Sequence, residues 1–457
     1  VIRAYQPIHH PDQIRRDLPE QVACEVRLDL FHHPQEAFAC LQRIEPARCL
    51  ITFRTRPHGG CGERDQGEAL WPLRLQLAQA GCGALDLEWD EPNLPAKIQT
   101  LARLGRRIIL SQHLAGQQEP PLQHPHYQLL SPRDVLKWVD TGRDVKALIG
   151  QRATYLHWQQ PFPLVRFSMG GDFWATRLLS LRYGAPFTFI RDDEQEGYAP
   201  GMISRQDLTS YDLPGPLSDS PLFAVLGRPI GHSRSPAFHQ PRLRQHHPYA
   251  LFLPLPTSTR EEWQALAACF PELRGAAVTS PMKEQVLPGQ GAVNTLLADA
   301  RGWRGINTDG AAVALLLRPF HALTTVRVLG MGGMGKAAAL ACLEEGFQVQ
   351  VSNRDPARLI GLDPRMEVIA WPERSREGAA IFIQATTLGM APHADISPLE
   401  QLPANCRLIL ETIYHPEQTL LLQRARAAGI QTLDGSALFR AQAELQSDHF
   451  CQLLKQA

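Results

Sequence analysis

Lysine is scarce in this 457-residue chain: only Lys97, Lys137, Lys146, Lys283, Lys336 and Lys455 occur, and arginine supplies the remaining cations. A chain that uses arginine at most cationic positions keeps lysine where a primary amine is needed. Of the six, Lys97, Lys137 and Lys455 read as helix-surface residues. No Cys-x-x-Cys pair exists, and the nine cysteines are scattered and odd in number. This argues against a structural zinc site or a disulfide framework and for a reducing cytosol. No apolar run approaches the ~20 residues of a membrane span. The opening Val-Ile-Arg-Ala-Tyr lacks the apolar stretch of a signal peptide, so the expected location is cytoplasmic. Net charge is zero, which removes any general attraction to nucleic acid or anionic membrane. What is present is ordinary for globular proteins, 44% hydrophobic and 20% charged residues, and the length predicts about three domains.

The first ~210 residues alternate short apolar runs with amphipathic stretches, a βα pattern that calls for parallel strands. Strands are expected at Val1–Tyr5, Cys24–Leu30, Cys49–Thr55, Ala84–Leu87, Arg107–Ser111, Val145–Ile149, Val165–Ser168 and Phe187–Ile190. Eight units of this size suit a compact (β/α)8 barrel. An open doubly wound sheet fits the same periodicity. The Pro- and Gly-rich stretch 213–221 reads as a linker, and from Phe223 the alternation restarts.

Val326–Leu329 is a buried-strand pattern running into Gly330-Met-Gly332-Gly333-Met-Gly335, then a helix over Lys336–Glu345 and a strand over Phe347–Ser352. In that context the Gly-x-Gly-x-x-Gly order points to a dinucleotide: one glycine for the tight turn, one for close approach of the pyrophosphate, one for helix–strand packing. Asn353-Arg354-Asp355 closes the second strand. An acidic residue there takes the ribose hydroxyls of NAD, and an arginine takes the 2′-phosphate of NADP. Arg354 comes first, which favours NADP, and Asp355 keeps NAD open.

Upstream lie Gly231-His-Ser233-Arg-Ser235-Pro, Val278-Thr279-Ser-Pro-Met-Lys283-Glu, Gly291-Ala-Val-Asn294-Thr295 and Asn307-Thr-Asp309-Gly310. Hydroxyls, an amide, a lysine and a carboxylate suit a small polyhydroxylated acid, with the lysine facing developing negative charge. Together with Ala385-Thr-Thr-Leu-Gly-Met390, Tyr414-His-Pro-Glu-Gln-Thr419 and Asp434-Gly-Ser-Ala-Leu-Phe-Arg-Ala-Gln442-Ala, residues 223–450 resemble shikimate dehydrogenase. The resemblance implies a Lys283–Asp309 pair beside the substrate. It implies Ser233, Ser235, Thr279, Asn294, Tyr414 and Gln442 as substrate contacts, and Gly330, Gly332, Gly333, Gly335, Asn353 and Arg354 as cofactor contacts.

The first half carries Glu25-Val-Arg27-Leu-Asp29, Thr52-Phe-Arg54-Thr-Arg-Pro-His58-Gly-Gly, Asp86-Leu-Glu88, Ser111-Gln-His113, Asp144-Val-Lys146, Arg177 and Ala199-Pro-Gly-Met202. Most fall at or just after expected strand ends, the active face of a (β/α)8 barrel. A lysine there is a Schiff-base candidate, because burial and neighbouring arginines free its amine. His113 could serve as base and acid. These motifs resemble type I 3-dehydroquinate dehydratase. The resemblance implies Lys146 as Schiff-base lysine and His113 as proton shuttle, with Glu25, Arg27, Arg54 and Arg177 lining the substrate site. His58, Tyr198 and Met202 stand where that family has glutamate, serine and glutamine.

The expected organisation is a barrel over 1–212, a linker over 213–221, a substrate-binding α/β domain over 222–320 completed by 434–457, and a Rossmann NADP domain over 321–433. The two resemblances name consecutive reactions on small molecules, and neither calls for a metal. Two alternatives stay open: a working dehydrogenase behind a degenerate barrel, and a non-catalytic regulatory protein built from the same domains.

Overall fold

In the computed structural model, residues 3–455 are described except 16–17, 195–196, 198, 212, 214–218 and 232. Most of the expected linker and Tyr198 therefore lie outside the described residues.

The N-terminal sheet is all parallel: β1 Ala4–Ile8, β2 Val22–Arg27, β3 Cys49–Thr52, β4 Ala84–Glu88, β5 Arg107–His113, β6 Val135–Thr141, β7 Leu164–Met169, β8 Thr188–Arg191 and the short β9 Ile203–Ser204. Its order is β7-β6-β5-β4-β3-β2-β1-β8-β9, so β1 to β7 follow chain order and β8 returns to β1. This is the eight-strand α/β ring, with no ladder across the β7/β8 seam among the described residues. One lumen layer is apolar, with Ala23, Leu50, Ala84, Ile109, Val135, Val165 and Phe187 all buried. Two residues further along their strands the same inward positions hold Glu25, Thr52, Asp86, Ser111, Lys137, Phe167 and Phe189, since strand side chains alternate with period two. A polar layer thus sits on the apolar one, toward the strands' C-terminal ends.

One expected strand is corrected. Val145–Ile149 is the beginning of a helix, Lys146–His157, and the sixth strand is Val135–Thr141. Ala147, Leu148, Gly150, Gln151 and Thr154 are that helix's buried residues, a helical spacing rather than an alternating one. Asp144 ends the preceding loop by accepting the Lys146 N–H at 2.8 Å.

The second sheet runs β11-β10-β12-β13-β14, from β10 Leu222–Gly227, β11 Leu251–Pro256, β12 Leu273–Val278, β13 Thr295–Asp299 and β14 Gly302–Ile306. The first three are parallel, and β13 and β14 are antiparallel to their neighbours. The third sheet comprises β15 Thr325–Leu329, β16 Gln348–Ser352, β17 Glu367–Val368, β18 Ile381–Gln384, β19 Leu408–Glu411 and β20 Gln431–Leu433. Its order β17-β16-β15-β18-β19-β20 is the 3-2-1-4-5-6 order of a dinucleotide-binding sheet, all parallel. The last helix, Gly435–Lys455, returns to pack on the second sheet and on helices Ser235–His246 and Thr308–Leu317.

The ring and the second sheet share one apolar core. Val145, Leu148, Ala175 and Leu178 of the ring's helices cluster with Leu253, Leu255, Trp263, Leu266 and Phe270. At its edge the buried Glu272 carboxylate meets Arg152 (3.5 Å), Arg182 (3.7 Å) and the Tyr183 hydroxyl (3.4 Å). No helix among the described residues is long and apolar enough to cross a membrane.

Candidate active sites

The polar layer of the ring is a connected set of charges. Arg54 donates to Asp86 Oδ2 at 2.8 Å and to Ser111 Oγ at 2.7 Å, and Ser111 donates to Asp86 Oδ1 at 2.5 Å. Glu25 accepts from Thr52 at 3.0 Å. Glu88 accepts the Thr55 N–H and hydroxyl at 2.8 and 2.7 Å. At the centre stands Lys137, 3% exposed, with Nζ 3.5 Å from Asp86, 4.0 Å from Glu25 and 3.8 Å from the centroid of the Phe189 ring. Burial pushes its ammonium down to about 8, because the neutral amine needs less solvation; Asp86 opposes this and Arg54 adds to it.

Lys146 is exposed on the first turn of helix Lys146–His157 and does not belong to this cluster. Lys137, expected on a helix surface, is instead a buried residue of β6. Its signal was present: a single cation in Val135-Leu-Lys-Trp-Val139, two residues beyond an apolar lumen position, in register with Ser111.

The other expected residues fall around Lys137. His113 ends β5, its Nδ1 buried without a partner, and burial together with the Arg54 and Lys137 cations pushes its imidazolium well down. It is therefore a neutral ring able to take a proton. Its backbone N–H donates to His58 Nδ1 at 3.3 Å, and His58 Nε2 lies 2.8 Å from Asp90. Arg27 is clamped by Asp29 through two bonds of 2.9 and 2.7 Å. Arg177 is buried, its guanidinium 4.0 Å from the centroid of the Phe167 ring and Nε donating to Gly201 O at 2.8 Å. Burial lowers it to about 9, and its Nη1 has no partner, leaving a donor for an anionic ligand.

The second cluster lies at the C-terminal end of the second sheet. Lys283 Nζ donates to Asp309 Oδ2 at 2.5 Å, and Asn294 Nδ2 donates to Asp309 Oδ1 at 2.8 Å. Asp309 sits in the first turn of helix Thr308–Leu317, where the helix end favours its negative charge. Asn294 also contacts Thr308 at 3.0 Å and Gln442 Oε1 at 3.4 Å, which ties the returning last helix into the site. Thr279 follows β12 and donates its N–H to Leu226 O at 2.8 Å, beside the start of the loop 228–234. Within that loop Ser233 Oγ accepts the Ser235 N–H at 3.3 Å. Arg234 bonds Ser436 at 2.9 Å and stands 5.4 Å from the centroid of the Tyr414 ring.

A cleft of about 340 Å³ opens at the end of β15, lined in part by Gly330, Gly332, Asn353, Arg354, Arg358 and Thr386. Gly330 has φ +98°, and a Cβ on it would lie 2.6 Å from Ala385 O. A Cβ on Gly335 would lie 1.8 Å from Gly330 O, so this glycine is needed for helix and strand to meet. Around Gly332 only Arg358 Nη1 comes within 4 Å of such a Cβ, at 3.6 Å, which leaves its face open to the cleft. Gly333 starts helix Gly333–Glu344. Open glycine, helix N-terminus and two arginines together fit a dinucleotide with an extra phosphate. Asp355 accepts the Ala357 N–H at 3.1 Å and so is engaged as a cap. Arg358 was missed in the sequence; a second cation four residues after Arg354, in the turn leaving the strand, was its signal.

A model of type I 3-dehydroquinase matches residues 13–211, and one of the shikimate dehydrogenase substrate binding domain matches residues 225–308. The chloroplastic bifunctional 3-dehydroquinate dehydratase/shikimate dehydrogenase of Arabidopsis thaliana is 25% identical over 474 residues, covering 94% of this chain and 77% of that protein. The NADP(+) shikimate dehydrogenase of Thermosynechococcus vestitus is 34% identical over 244 residues, covering 48% of this chain and 85% of that protein. Among solved structures, the dehydroquinate dehydratase and shikimate dehydrogenase of S. pombe covers 99% of this chain and 98% of its own at 21% identity and a TM-score of 0.40. The shikimate 5-dehydrogenase of Thermus thermophilus covers 52% and 99% at 27% identity and a TM-score of 0.45. The chain belongs to the shikimate dehydrogenase family, fused behind a type I 3-dehydroquinase domain.

Proposed function

We propose that this chain catalyses two consecutive steps, dehydration of 3-dehydroquinate to 3-dehydroshikimate and reduction of that ketone to shikimate with NADPH. The observation that carries the reading is the presence of two separate lysine–carboxylate centres, Lys137 with Asp86 on strands of the ring and Lys283 with Asp309 in the segments that follow β12 and β14 of the second sheet. The barrel over 1–212, the substrate domain over 222–320 with 434–457 and the NADP domain over 321–433 are the units we assign.

In the ring, the Lys137 amine adds to the substrate ketone and loses water to form an imine. The imine nitrogen, protonated, draws electrons from the adjacent carbon, and His113 takes the proton that leaves it. The same imidazolium returns a proton to the departing hydroxyl, and hydrolysis of the imine frees the product and the lysine. Arg177, with its unpartnered Nη1, holds the substrate carboxylate. In the second centre, NADPH supplies the hydride. Lys283 faces the oxygen on which charge develops, and the Lys283–Asp309 pair provides its proton. Gly330, Gly332, Gly333, Asn353, Arg354 and Arg358 hold the cofactor.

Borohydride added with 3-dehydroquinate traps a covalent adduct on Lys137, located by peptide mass spectrometry. An adduct on Lys146, or turnover of 3-dehydroquinate without any adduct, rejects the assignment. In a coupled assay, 3-dehydroquinate plus NADPH gives loss of NADPH absorbance without added enzyme.

Cofactor choice rests on the two arginines. Arg354→Ala and Arg358→Ala each raise KM for NADPH by about 10-fold or more, the worth of a charge-assisted hydrogen bond, and leave KM for NADH nearly unchanged. A wild-type preference for NADH would make Asp355 the reader instead.

A further inference from the structure

The turn that carries Ser233 and Ser235 is held in place by the other half of the molecule. After β7 the chain runs Gly170-Gly171-Asp172-Phe173 into helix Ala175–Arg182. Asp172 Oδ1 accepts two backbone N–H groups of the second domain, from Ile230 at 2.9 Å and Gly231 at 2.7 Å. The Ile230 carbonyl in turn accepts the Ser233 N–H at 3.0 Å, closing the turn. The two backbones touch: a Cβ on Gly231 would lie 2.6 Å from Gly171 O. Arg228 adds a second tie, donating to Arg143 O at 2.6 Å with its Nε 3.7 Å from Asp172 Oδ2.

On its other side the same segment belongs to the rim of the ring. The Gly170 N–H donates to Pro200 O at 3.3 Å. Gly201 is pressed against it, since a Cβ there would lie 2.4 Å from Gly170 O. Gly201 O accepts from Arg177, a residue of the Lys137 centre.

We infer that Asp172, a residue of the dehydratase half, is a positioning residue of the dehydrogenase: its carboxylate fixes the turn that presents Ser233 and Ser235 to the second substrate. The chemistry is that of a carboxylate capping two successive N–H groups, the device that orders anion-binding turns elsewhere, here supplied from inside the protein. Asp172 touches no reacting atom. Its loss frees the turn, so substrate must order it on binding, and the cost falls on KM for the shikimate-type ligand rather than on hydride transfer or on the cofactor. The inference rests on the reading of the Ser233–Ser235 turn as a substrate loop.

The test is steady-state kinetics of the full chain in the direction of shikimate oxidation with NADP+. Asp172→Ala raises KM for shikimate by about 5–20-fold, the worth of two partly solvent-replaceable hydrogen bonds. It leaves KM for NADP+ and dehydration of 3-dehydroquinate near wild type. Asp172→Asn keeps an acceptor oxygen and restores KM to within about twofold. Gly231→Ala, whose Cβ would lie 2.6 Å from Gly171 O and 3.1 Å from Asp172 Oδ1, pushes the turn off the carboxylate while leaving Asp172 in place; it reproduces the rise and serves where Asp172→Ala fails to fold. An unchanged KM in Asp172→Ala, or in Gly231→Ala where that variant stands in, overturns the inference. So does an Asn variant as poor as Ala, which would place the effect on charge rather than on the acceptor. Equal losses in both activities overturn it too, as general damage. A wild-type chain that does not oxidise shikimate defeats the functional reading itself, an outcome distinct from a working enzyme indifferent to Asp172.

Discussion

Lys137→Ala abolishes dehydration of 3-dehydroquinate, by roughly 10³-fold or more, since losses of a covalent nucleophile elsewhere reach about 10⁶. Reduction of 3-dehydroshikimate continues at the wild-type rate, because Lys137 lies on a strand of the ring and Lys283 in the turn Met282–Glu284 that follows β12. Lys146→Ala, on an exposed helix turn, changes neither reaction. The pH profile supplies a second check. The ammonium of Lys137 sits at about 8. Only the free amine adds to a ketone, so kcat/KM for dehydration rises with pH and levels above about 8. Asp86 raises this value and Arg54 lowers it. Asp86→Asn therefore removes the group that favours the ammonium, and the rise moves to lower pH. A profile flat between pH 6 and 9, or one that Asp86→Asn moves upward, rejects Lys137 as the nucleophile.

The misplaced lysine shows how far a single sequence carries this fold. Ala84-x-Asp86-x-Glu88 and Ile109-x-Ser111-x-His113 could be read correctly, because in each an apolar lumen residue is followed at period two by polar ones that have no other reason to be buried. Val135-x-Lys137-x-Val139 has the same form. Lysine alone in an apolar strand contradicts the usual cost of burying a charge, so from sequence it reads as a surface residue. That cost is met here by Asp86 and Glu25, which come from strands about 50 and 110 residues away and are invisible to any local window. Val145–Ile149 then looked like the missing strand, since four or five apolar residues do not distinguish a buried strand from a helix start. The glycine loop carried its own context of strand and helix and needed no distant partner. The Asp172 tie is the opposite case. A Gly-Gly-Asp in one domain and an Ile-Gly in another, 58 residues on, have no sequence signature as a pair.

Lys283→Ala slows reduction of 3-dehydroshikimate by about 10²–10³-fold, the range found when one electrostatic stabiliser of a developing oxyanion is removed. The magnitude follows from how Lys283 is held. Its Nζ bonds Asp309 Oδ2, while Asn294 occupies Asp309 Oδ1 and is itself tied to Thr308 and Gln442. The Lys283 carbonyl accepts the Val293 N–H at 2.7 Å, which fixes the backbone of the lysine against the segment that leads through Asn294 into β13. The ammonium thus reaches the substrate oxygen already oriented, and no other lysine occurs between Lys146 and Lys336 to replace it. Asp309→Asn keeps the shape but gives up the negative charge that anchors the ammonium, so it lowers kcat comparably. Because these losses concern the transition state, they appear in kcat more than in KM, the reverse of the split expected for Asp172→Ala. Dehydration of 3-dehydroquinate stays near wild type in both variants, since neither residue touches the Gly170–Asp172 segment or the ring. A Lys283→Ala enzyme that keeps its kcat and loses only affinity would reduce this lysine to a substrate-binding group. A collapse of dehydration in a folded Lys283→Ala protein would mean that the two centres communicate through more than the single turn held by Asp172.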